Sequence, residues 1–272
     1  MGAIDLQAKA QKLVAIRKES GIERAIADSL IVGWRNLIRL SRTPAAIISV
    51  LLFPILFLSG FLLAFERFMR AQGIDYVQYL VPIITLQAMF FTAMGAATTL
   101  ANDIKSGMLQ RCRTMPISRA AIIGGLLIAY LVRAIFATVI LVSFAHLYGF
   151  RFQAGFLSIL EYVALTLLFT TTAVTGYVFY ALKLRQPDLV NSLLIVPYGP
   201  LLLLSTGFSP AENFPNWLQP IVRVQPVSHT AAALRALVNG TEIFLPLFWS
   251  LVWLVGLLIV FGFMAIRLYQ KV

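Results

Sequence analysis

The stretch that decides how this chain folds is Asn102-Asp-Ile-Lys-Ser-Gly-Met-Leu-Gln-Arg-Cys-Arg-Thr-Met-Pro-Ile-Ser-Arg119. This polar island carries five charged side chains, and the apolar segments on either side of it, 80–101 and 120–148, are each long enough to cross a bilayer. Water must solvate the island, whereas its flanks belong in lipid. A basic loop between two spans is retained in the cytoplasm, so we expect the island to be a docking element for a cytosolic partner.

Composition places the rest of the chain in the membrane as well. Of the 272 residues, 60% are hydrophobic and only 12% are charged, whereas a soluble domain has about 25% charged residues. The net charge of +11 would also suit a nucleic-acid binder, but the basic residues lie at the ends of apolar segments and not along one solvated face. We therefore expect an integral membrane protein without a nucleic-acid partner.

Six segments are predicted to be transmembrane helices, at about 45–65, 80–101, 120–148, 156–182, 189–208 and 243–266. The first has 21 uncharged residues, which as a helix extend about 31 Å and match the hydrocarbon thickness. Prolines are tolerated in such helices where neighbours satisfy the freed carbonyls. Pro197 and Pro200 together should bend or break the fifth span.

The distribution of Lys and Arg predicts the orientation. With the N-terminus inside, sixteen of these residues fall in cytoplasmic segments and five in outer segments, while Arg133 lies within a span. This asymmetry predicts that both termini are cytoplasmic. The single cysteine, Cys112, lies in the polar island, so an intrachain disulfide is excluded.

The N-terminal region divides into two parts. Residues 1–21 have charges throughout and no apolar core of a signal peptide, so they are expected to form a cytoplasmic tail. Residues 22–43 are predicted to form an amphipathic interface helix on the membrane surface, ahead of a transmembrane domain at 44–272. Its charged face would carry Arg35 and Arg39, with Trp34 near the boundary to the apolar face. The alternative is a simple positively charged anchor.

The last outer segment, 209–242, is too apolar for a free loop and too broken by prolines for a seventh span. A capped helical pattern runs from Ser228 to Asn239 and ends at Gly240. We expect a re-entrant helical hairpin that dips into the outer leaflet and returns. The predicted fold class is therefore an all-α integral membrane protein with six spans, an interface helix, a cytoplasmic coupling helix and this outer hairpin.

Signatures of catalysis are sparse in this sequence. The two histidines, His146 and His229, have no cysteine or carboxylate at metal-ligand spacing, and the sequence contains no phosphate-binding loop of the type G-x-x-x-x-G-K-[ST]. We expect no catalytic residue, no metal site and no cofactor in this chain. If its activity is driven by ATP, another chain must be the ATPase.

Short motifs in a fixed order carry a resemblance to a known family. They are Gln78-Tyr79-Leu80-x-Pro82 with Leu86-Gln87, Asp103-x-x-x-Gly107 with Arg113-x-x-Pro116-Ile117-Ser118-Arg119, and Pro215-x-Trp217 with Gln225-Pro226-x-Ser228, Arg235 and Gly240. From about Ser29 onward the chain resembles the membrane subunit of ABC-2 type ABC exporters. It is most similar to the daunorubicin-resistance branch, whose members move hydrophobic drugs or complex lipids. It departs from the family where Asp103 and Lys105 replace a Glu-rich start of the island.

The resemblance implies several partners and roles. ATP and Mg would be bound by a separate ATPase subunit, and a second permease subunit, identical or homologous, would complete the transporter in a bacterial inner membrane. Trp34, Arg35 and Arg39 would belong to the interface helix. The coupling helix that contacts the ATPase would comprise Asp103, Gly107, Met108, Leu109, Arg111, Arg113, Met115, Pro116 and Ile117.

Arg133 is the most informative single residue. A charge inside a span costs about 2.5 to 3.5 kcal/mol on insertion scales, so its side chain must face a partner, a cavity or water. Glu161 is its candidate partner, although it lies nearer the outer end of its own helix. Three interpretations of Arg133 remain open: a structural polar contact, a position on the substrate path or at a subunit interface, and a misplaced span boundary. We group Arg133 and Glu161 with His229 and Arg235 as candidate residues of the substrate path.

Two other functions fit the same sequence. One is a membrane enzyme that acts on lipid through His146 or His229 at the outer interface, where the carboxylates are Glu161, Glu212 and Glu242. The other is a secondary transporter without an ATPase, which should carry several intramembrane carboxylates, whereas only Glu161 is present. Copurification with an ATPase subunit would distinguish both from an ABC exporter.

Overall fold

The computed structural model describes residues 21–42, 44–108, 110–111 and 119–269. Within these residues the chain is helical and contains no strand. The helices are α1 Gly21–Ser41, α2 Pro44–Ala71, α3 Tyr76–Lys105, α4 Arg119–Leu147, α5 Phe156–Leu184, α6 Pro187–Leu193, α7 Ile195–Leu203, α8 Gln219–Val224, α9 Pro226–Asn239 and α10 Phe244–Tyr269. A short 3-10 helix, Ala211–Asn213, precedes α8.

Five segments of these helices are long and apolar enough to cross a membrane: Leu52–Ala71, Tyr76–Lys105, Ala121–Leu147, Phe156–Leu184 and Phe244–Tyr269. They correspond to five of the six predicted spans. Because each backbone N–H and C=O in lipid must be bonded within its own segment, helices are the expected form of such spans. The prediction of an all-helical, multi-pass integral membrane protein is confirmed.

The predicted span at 189–208 is different, because it consists of two short helices, α6 and α7, which together cover Pro187–Leu203. The helix breaks at Leu194, whose carbonyl accepts a hydrogen bond of 3.3 Å from the hydroxyl of Tyr177 on α5. Pro197 has no N–H with which to bond the carbonyl four residues earlier, so it weakens the helix just ahead of itself. The expected break therefore lies one turn before Pro197 and not at the two prolines.

The helix α3 forms the centre of the bundle and packs against α2, α4, α5, α6 and α9. In its apolar window 83% of the residues are buried, compared with 11% in α10, which is mostly exposed. Two of its buried polar side chains find partners on other helices: Thr85 bonds the Tyr162 hydroxyl at 2.8 Å, and Gln87 donates to the Tyr198 hydroxyl at 2.8 Å. These bonds tie α3 to α5 and α7.

The segment between α7 and α10 folds into a compact helical pair. Here α9 begins at Pro226, two residues before the predicted start, because proline suits the first position of a helix. It ends at Gly240, whose φ of 68° is the left-handed conformation that glycine adopts most easily. Ser228 connects this pair to the bundle, since its hydroxyl accepts from the Thr206 amide at 3.0 Å and donates to the Val222 carbonyl.

Candidate coupling and substrate sites

The predicted interface helix α1 lies against α4 through a contact of small residues. A Cβ atom placed on Gly125 would lie 2.6 Å from Cβ of Val32, and one on Gly124 would lie 2.7 Å from the Ser29 hydroxyl oxygen. On the facing helix, a Cβ on Gly33 would lie 3.3 Å from the Gly125 carbonyl oxygen. Only glycines allow the two backbones to approach this closely, so α1 is held against the bundle along this crossing.

Beyond this contact, α1 presents two further faces. One is apolar and exposed, and consists of Ile26, Leu30, Ile31, Trp34 and Ile38, with Trp34 67% exposed. The other carries the exposed Arg35 and Arg39. An exposed apolar face with a central tryptophan beside a row of cations is the arrangement of a helix at a membrane surface.

Arg39 connects α1 to the start of the polar island. Its guanidinium lies 2.8 Å from the Asp103 carboxylate near the end of α3, and the Asp103 side chain is only 13% exposed. The residue that departs from the family's Glu-rich pattern is thus paired with the interface helix. The predicted interface helix and the predicted coupling segment are joined directly by this ion pair.

The polar island begins with a sharp turn after α3. Ser106 caps the helix, and Gly107 has a φ of 69°, which favours glycine and turns the chain away from the helix axis. The Arg111 amide then bonds the Gly107 carbonyl at 3.2 Å. Of the predicted coupling residues, the structure describes Asp103, Gly107, Met108 and Arg111. Leu109, Arg113, Met115, Pro116 and Ile117 lie outside the described residues.

Arg133 lies in the contact between α4 and α3. Its guanidinium carbon is 5.6 Å from the centre of the Tyr130 ring, and a Cβ atom on Gly95 would lie 3.2 Å from one of its nitrogens. The Tyr130 hydroxyl in turn donates to the Gly95 carbonyl at 2.8 Å. Glu161 is exposed on α5, and the ion pairs of the described residues do not join it to Arg133. The partner expected for Arg133 is therefore wrong, and the side chain instead packs on Tyr130.

Arg235 on α9 binds backbone carbonyls from two other parts of the chain. Its guanidinium donates to the carbonyl oxygens of Tyr79 at 2.9 Å, Thr206 at 2.9 Å and Gly207 at 2.6 Å. It also lies 3.5 Å from the centre of the Tyr79 ring, whose hydroxyl bonds the same Thr206 carbonyl at 2.6 Å. These contacts favour a positioning role for Arg235, which holds α9 against α3 and the turn after α7.

His229 lies at the mouth of a groove of 670 Å³ between the helical pair and the last span. We call this the outer groove; it is lined by Arg223, Val224, His229, Trp249, Val252, Trp253, Gly256, Leu257 and Val260. The imidazole is stacked on Trp249 with ring centres 6.1 Å apart. Burial lowers the pKa of His229, so the ring is neutral at pH 7. Among the described residues, neither His229 nor His146 forms an ion pair with a carboxylate.

A second cavity, of 210 Å³, lies between α3, α5, α7, α9 and α10. Aromatic residues make up much of its lining, namely Phe90, Phe169, Tyr177, Tyr180 and Phe261. Its surface is mostly apolar, because the Thr172 hydroxyl bonds the Leu254 carbonyl at 3.1 Å and the Tyr177 hydroxyl bonds the Leu194 carbonyl. This cavity is suited to an apolar group and not to a charged one.

Sequence reasoning missed the close approach at Gly207 and the role of Ser228 as a bonded link. A Cβ atom on Gly207 would collide with the Ile83 side chain, which explains why glycine stands at this turn. A glycine at the end of the predicted span 189–208 was the available signal. The need for glycine at this position arises from the neighbouring helix α3, a contact that is distant in sequence.

Comparison with known proteins agrees with this architecture. A family model described as ABC-2 type transporter matches residues 29–239. The daunorubicin resistance ABC transporter permease protein DrrB1 of Streptomyces coeruleorubidus is 30% identical over 249 residues, which cover 91% of this chain and 87% of that protein. The probable doxorubicin resistance ABC transporter permease protein DrrC of Mycobacterium tuberculosis is 27% identical, over 86% of this chain and 85% of that protein.

The matched region contains the α1–α4 crossing, the Arg39–Asp103 pair, the start of the polar island and Arg235. The similarity thus extends over the bundle and not over one motif. Together with the five apolar spans, it shows that this chain belongs to the ABC-2 type transporter family.

Proposed function

We propose that this chain, a membrane permease subunit of an ABC exporter, moves a hydrophobic or amphipathic substrate out of the cytoplasm or the inner leaflet. The substrate would be a drug or a complex lipid, because the names of the relatives refer to resistance to daunorubicin and doxorubicin, both of them drugs. ATP and Mg would be bound by a separate ATPase subunit, and a second permease subunit would complete the transporter. The apolar cavity beside α5 fits the same class of substrate.

The proposed topology has six spans with both termini in the cytoplasm. In this topology α6 and α7 together form the fifth span, since 17 residues of helix extend about 26 Å and are near the lower limit for crossing the hydrocarbon. The helical pair α8–α9 would then enter the outer leaflet from outside and return. Sixteen basic residues in the cytoplasmic segments against five outside support this orientation.

The observation that carries the coupling mechanism is the Arg39–Asp103 ion pair. It joins α1 to the end of α3, where the polar island begins. A push on the island by the closing ATPase dimer would therefore reach both the interface helix and the central helix of the bundle. Rigid-body rocking of the two permease subunits would follow from such a push.

The island itself is suited to docking in a cleft of the ATPase. Its sequence interleaves apolar Met108, Leu109, Met115 and Ile117 with the cations Arg111 and Arg113, and its described start turns at Gly107. Burial of one such apolar side chain in a cleft would contribute about 1.5 to 3 kcal/mol. The cations would pair with an acidic rim and speed association.

The test uses substitutions in the island of the full chain, coexpressed with its ATPase subunit. Leu109→Asp and Met115→Asp should leave membrane insertion and expression intact but abolish copurification with the ATPase and export of a fluorescent anthracycline. The matched control is Gln110→Asp, which adds the same charge without removing an apolar contact. Wild-type copurification and export in both Asp variants would show that the island is not the coupling element.

A further inference from the structure

We propose that the outer groove is a binding site for a membrane phospholipid, with the lipid phosphate at Arg223 and one acyl chain lying along α10. The groove is formed by described residues of α8, α9 and α10 and has a volume of 670 Å³. Its assignment to the outer leaflet rests on the topology of the proposed function. The groove and the residues that line it are the same whichever leaflet they face.

Gly256 creates the depth of the groove. A Cβ atom at this position would meet no atom within 4 Å, so the absence of a side chain leaves open space on the surface of α10. Gly256 lies on the same helical face as Trp249, Trp253 and Val260, and the four residues follow one another at spacings of four, three and four. The result is an apolar channel along the helix with a wall of bulky side chains on either side of the glycine.

The length of the channel matches one lipid chain. From Trp249 to Val260 the helix rises about 16 Å, and one leaflet of the hydrocarbon core is about 15 Å thick. The channel runs along a helix that crosses the membrane, and 11% of that helix's apolar window is buried by the protein. Because this surface faces the hydrocarbon core, an acyl chain is the group that contacts it.

The mouth of the groove supplies the polar contacts of a headgroup. The Arg223 guanidinium lies 2.9 Å from Glu212, with side chains that are 56% and 70% exposed, and such an exposed pair is weak enough for a phosphate to replace the carboxylate. The ring of His229, stacked on Trp249, can donate one hydrogen bond. Trp249 and Trp253 have the amphipathic rings that lie at headgroup level in membrane proteins.

Charge complementarity favours a phospholipid over the other possible occupants. A purely apolar ligand would make no contact with the cation at the mouth, which would stay paired with Glu212. A second copy of this chain would have to present an anionic group beside an apolar ridge narrow enough to enter the space above Gly256. A phospholipid carries both features in one molecule.

The experiment measures lipid retained by the full chain in complex with its ATPase subunit. The complex is washed free of lipid in detergent, incubated with phosphatidylglycerol or with diacylglycerol of the same chains, and analysed by native mass spectrometry. Wild type should retain one phosphatidylglycerol per permease chain after a wash that removes diacylglycerol. Arg223→Gln should lower this retention about tenfold or more, because a hydrogen bond to a charged group is lost.

Two matched controls separate the site from general effects. Gly256→Leu should abolish retention by filling the channel, whereas Gly262→Leu, on the same helix and also in open space, should retain lipid as wild type does. Arg70→Gln removes a different exposed cation that is paired with Glu66, and should also have no effect. Arg223→Gln replaces an exposed side chain, so it tests the site even if Gly256→Leu fails to fold.

Equal retention in wild type, Arg223→Gln and Gly256→Leu would overturn the proposal. A change from dimer to monomer in Gly256→Leu with no change in bound lipid would also overturn it, because the groove would then be occupied by a second copy. The readout is bound mass and not transport. A wild-type complex that binds the lipid but does not export would count against the proposed function alone. Groove variants that lose the bound lipid but still export would support the lipid site and leave the coupling mechanism unaffected.

Discussion

At the scale of single residues, Arg235 is positioned by carbonyl groups and not by a carboxylate. Its planar guanidinium has several N–H donors in a fixed geometry, which fits three carbonyl oxygens from two separate segments. One of these segments, Thr206 and Gly207, is the turn that leads from α7 to the helical pair. A single side chain therefore fixes the N-terminal end of α3, this turn and α9 relative to one another.

Replacement of Arg235 by Ala should destabilise the protein by about 2 to 4 kcal/mol, because half-buried carbonyls lose their donors. Lysine should restore only part of this loss, since its ammonium lacks the planar fork. Thermal unfolding of the purified protein in detergent measures both effects. Arg151→Ala is the control, because the exposed guanidinium of Arg151 also bonds two carbonyls. Equal losses for Arg151 and Arg235 would contradict the positioning role.

A second prediction concerns the pH dependence of thermal stability, to which His229 contributes. Burial lowers the pKa of His229 below its ordinary value of 6.5, so the folded protein resists its protonation more than the unfolded chain does. Stability is therefore complete above pH 6.5 and is lost as the pH falls from 6.5 towards the lowered pKa. The midpoint of thermal unfolding should fall between pH 7.5 and pH 5.5, and less steeply in His229→Gln.

At the scale of elements, the crossing of α1 and α4 shows how α1 is attached to the bundle. Where lipid already covers apolar surface, hydrophobic burial adds little to helix association, so close backbone contact contributes more. Gly33, Gly124 and Gly125 provide that contact. The same arrangement leaves the Trp34 face of α1 directed away from the bundle and available to the membrane.

Gly125→Ala should weaken this attachment, because the new methyl group would lie 2.6 Å from Cβ of Val32. The expected cost is about 1 to 3 kcal/mol of overpacking. Val32→Gly in the same chain removes that Cβ and should recover part of the overpacking cost, and a double-mutant cycle of unfolding midpoints measures the recovery. Gly60→Ala is the control, since a methyl group there meets nothing within 4 Å. Additive effects of Gly125→Ala and Val32→Gly would show that the two residues do not touch.

The elements also show what the sequence could and could not predict. Long apolar runs identify spans because nothing else satisfies their backbone in lipid, and five of the six predicted spans are present as such helices. The break at Leu194 was assigned to the prolines, but its position also depends on the hydroxyl of Tyr177, which lies on another helix. The sequence offers Glu161 as a candidate partner for Arg133, although Glu161 lies at a different depth, whereas the side chain packs on Tyr130, one turn away on the same helix. The spans thus follow from local patterns, but the position of the break and the neighbour of Arg133 do not.

At the scale of the whole molecule, the proposed topology places every coupling element on one side of the membrane. Cys112 tests this placement, because it is the single cysteine of the chain and lies in the polar island. In right-side-out vesicles, a membrane-impermeant maleimide should label Cys112 only after the membrane is opened. A second variant, with Cys112→Ser and Glu242→Cys, should show the opposite pattern. Labelling of Cys112 in intact vesicles would reverse the topology.

The burial of α3 has a consequence for biogenesis. Its polar side chains bond partners that lie far ahead in the chain: Gln78 to the carbonyl of Arg151, Thr85 to Tyr162 and Gln87 to Tyr198. A ribosome delivers α3 to the membrane before any of these partners has been synthesised. During that interval the helix carries two glutamines whose partners do not yet exist, and lipid cannot satisfy them. The nascent chain should therefore remain at the translocon, or beside an insertase, until α5 and α7 have been synthesised.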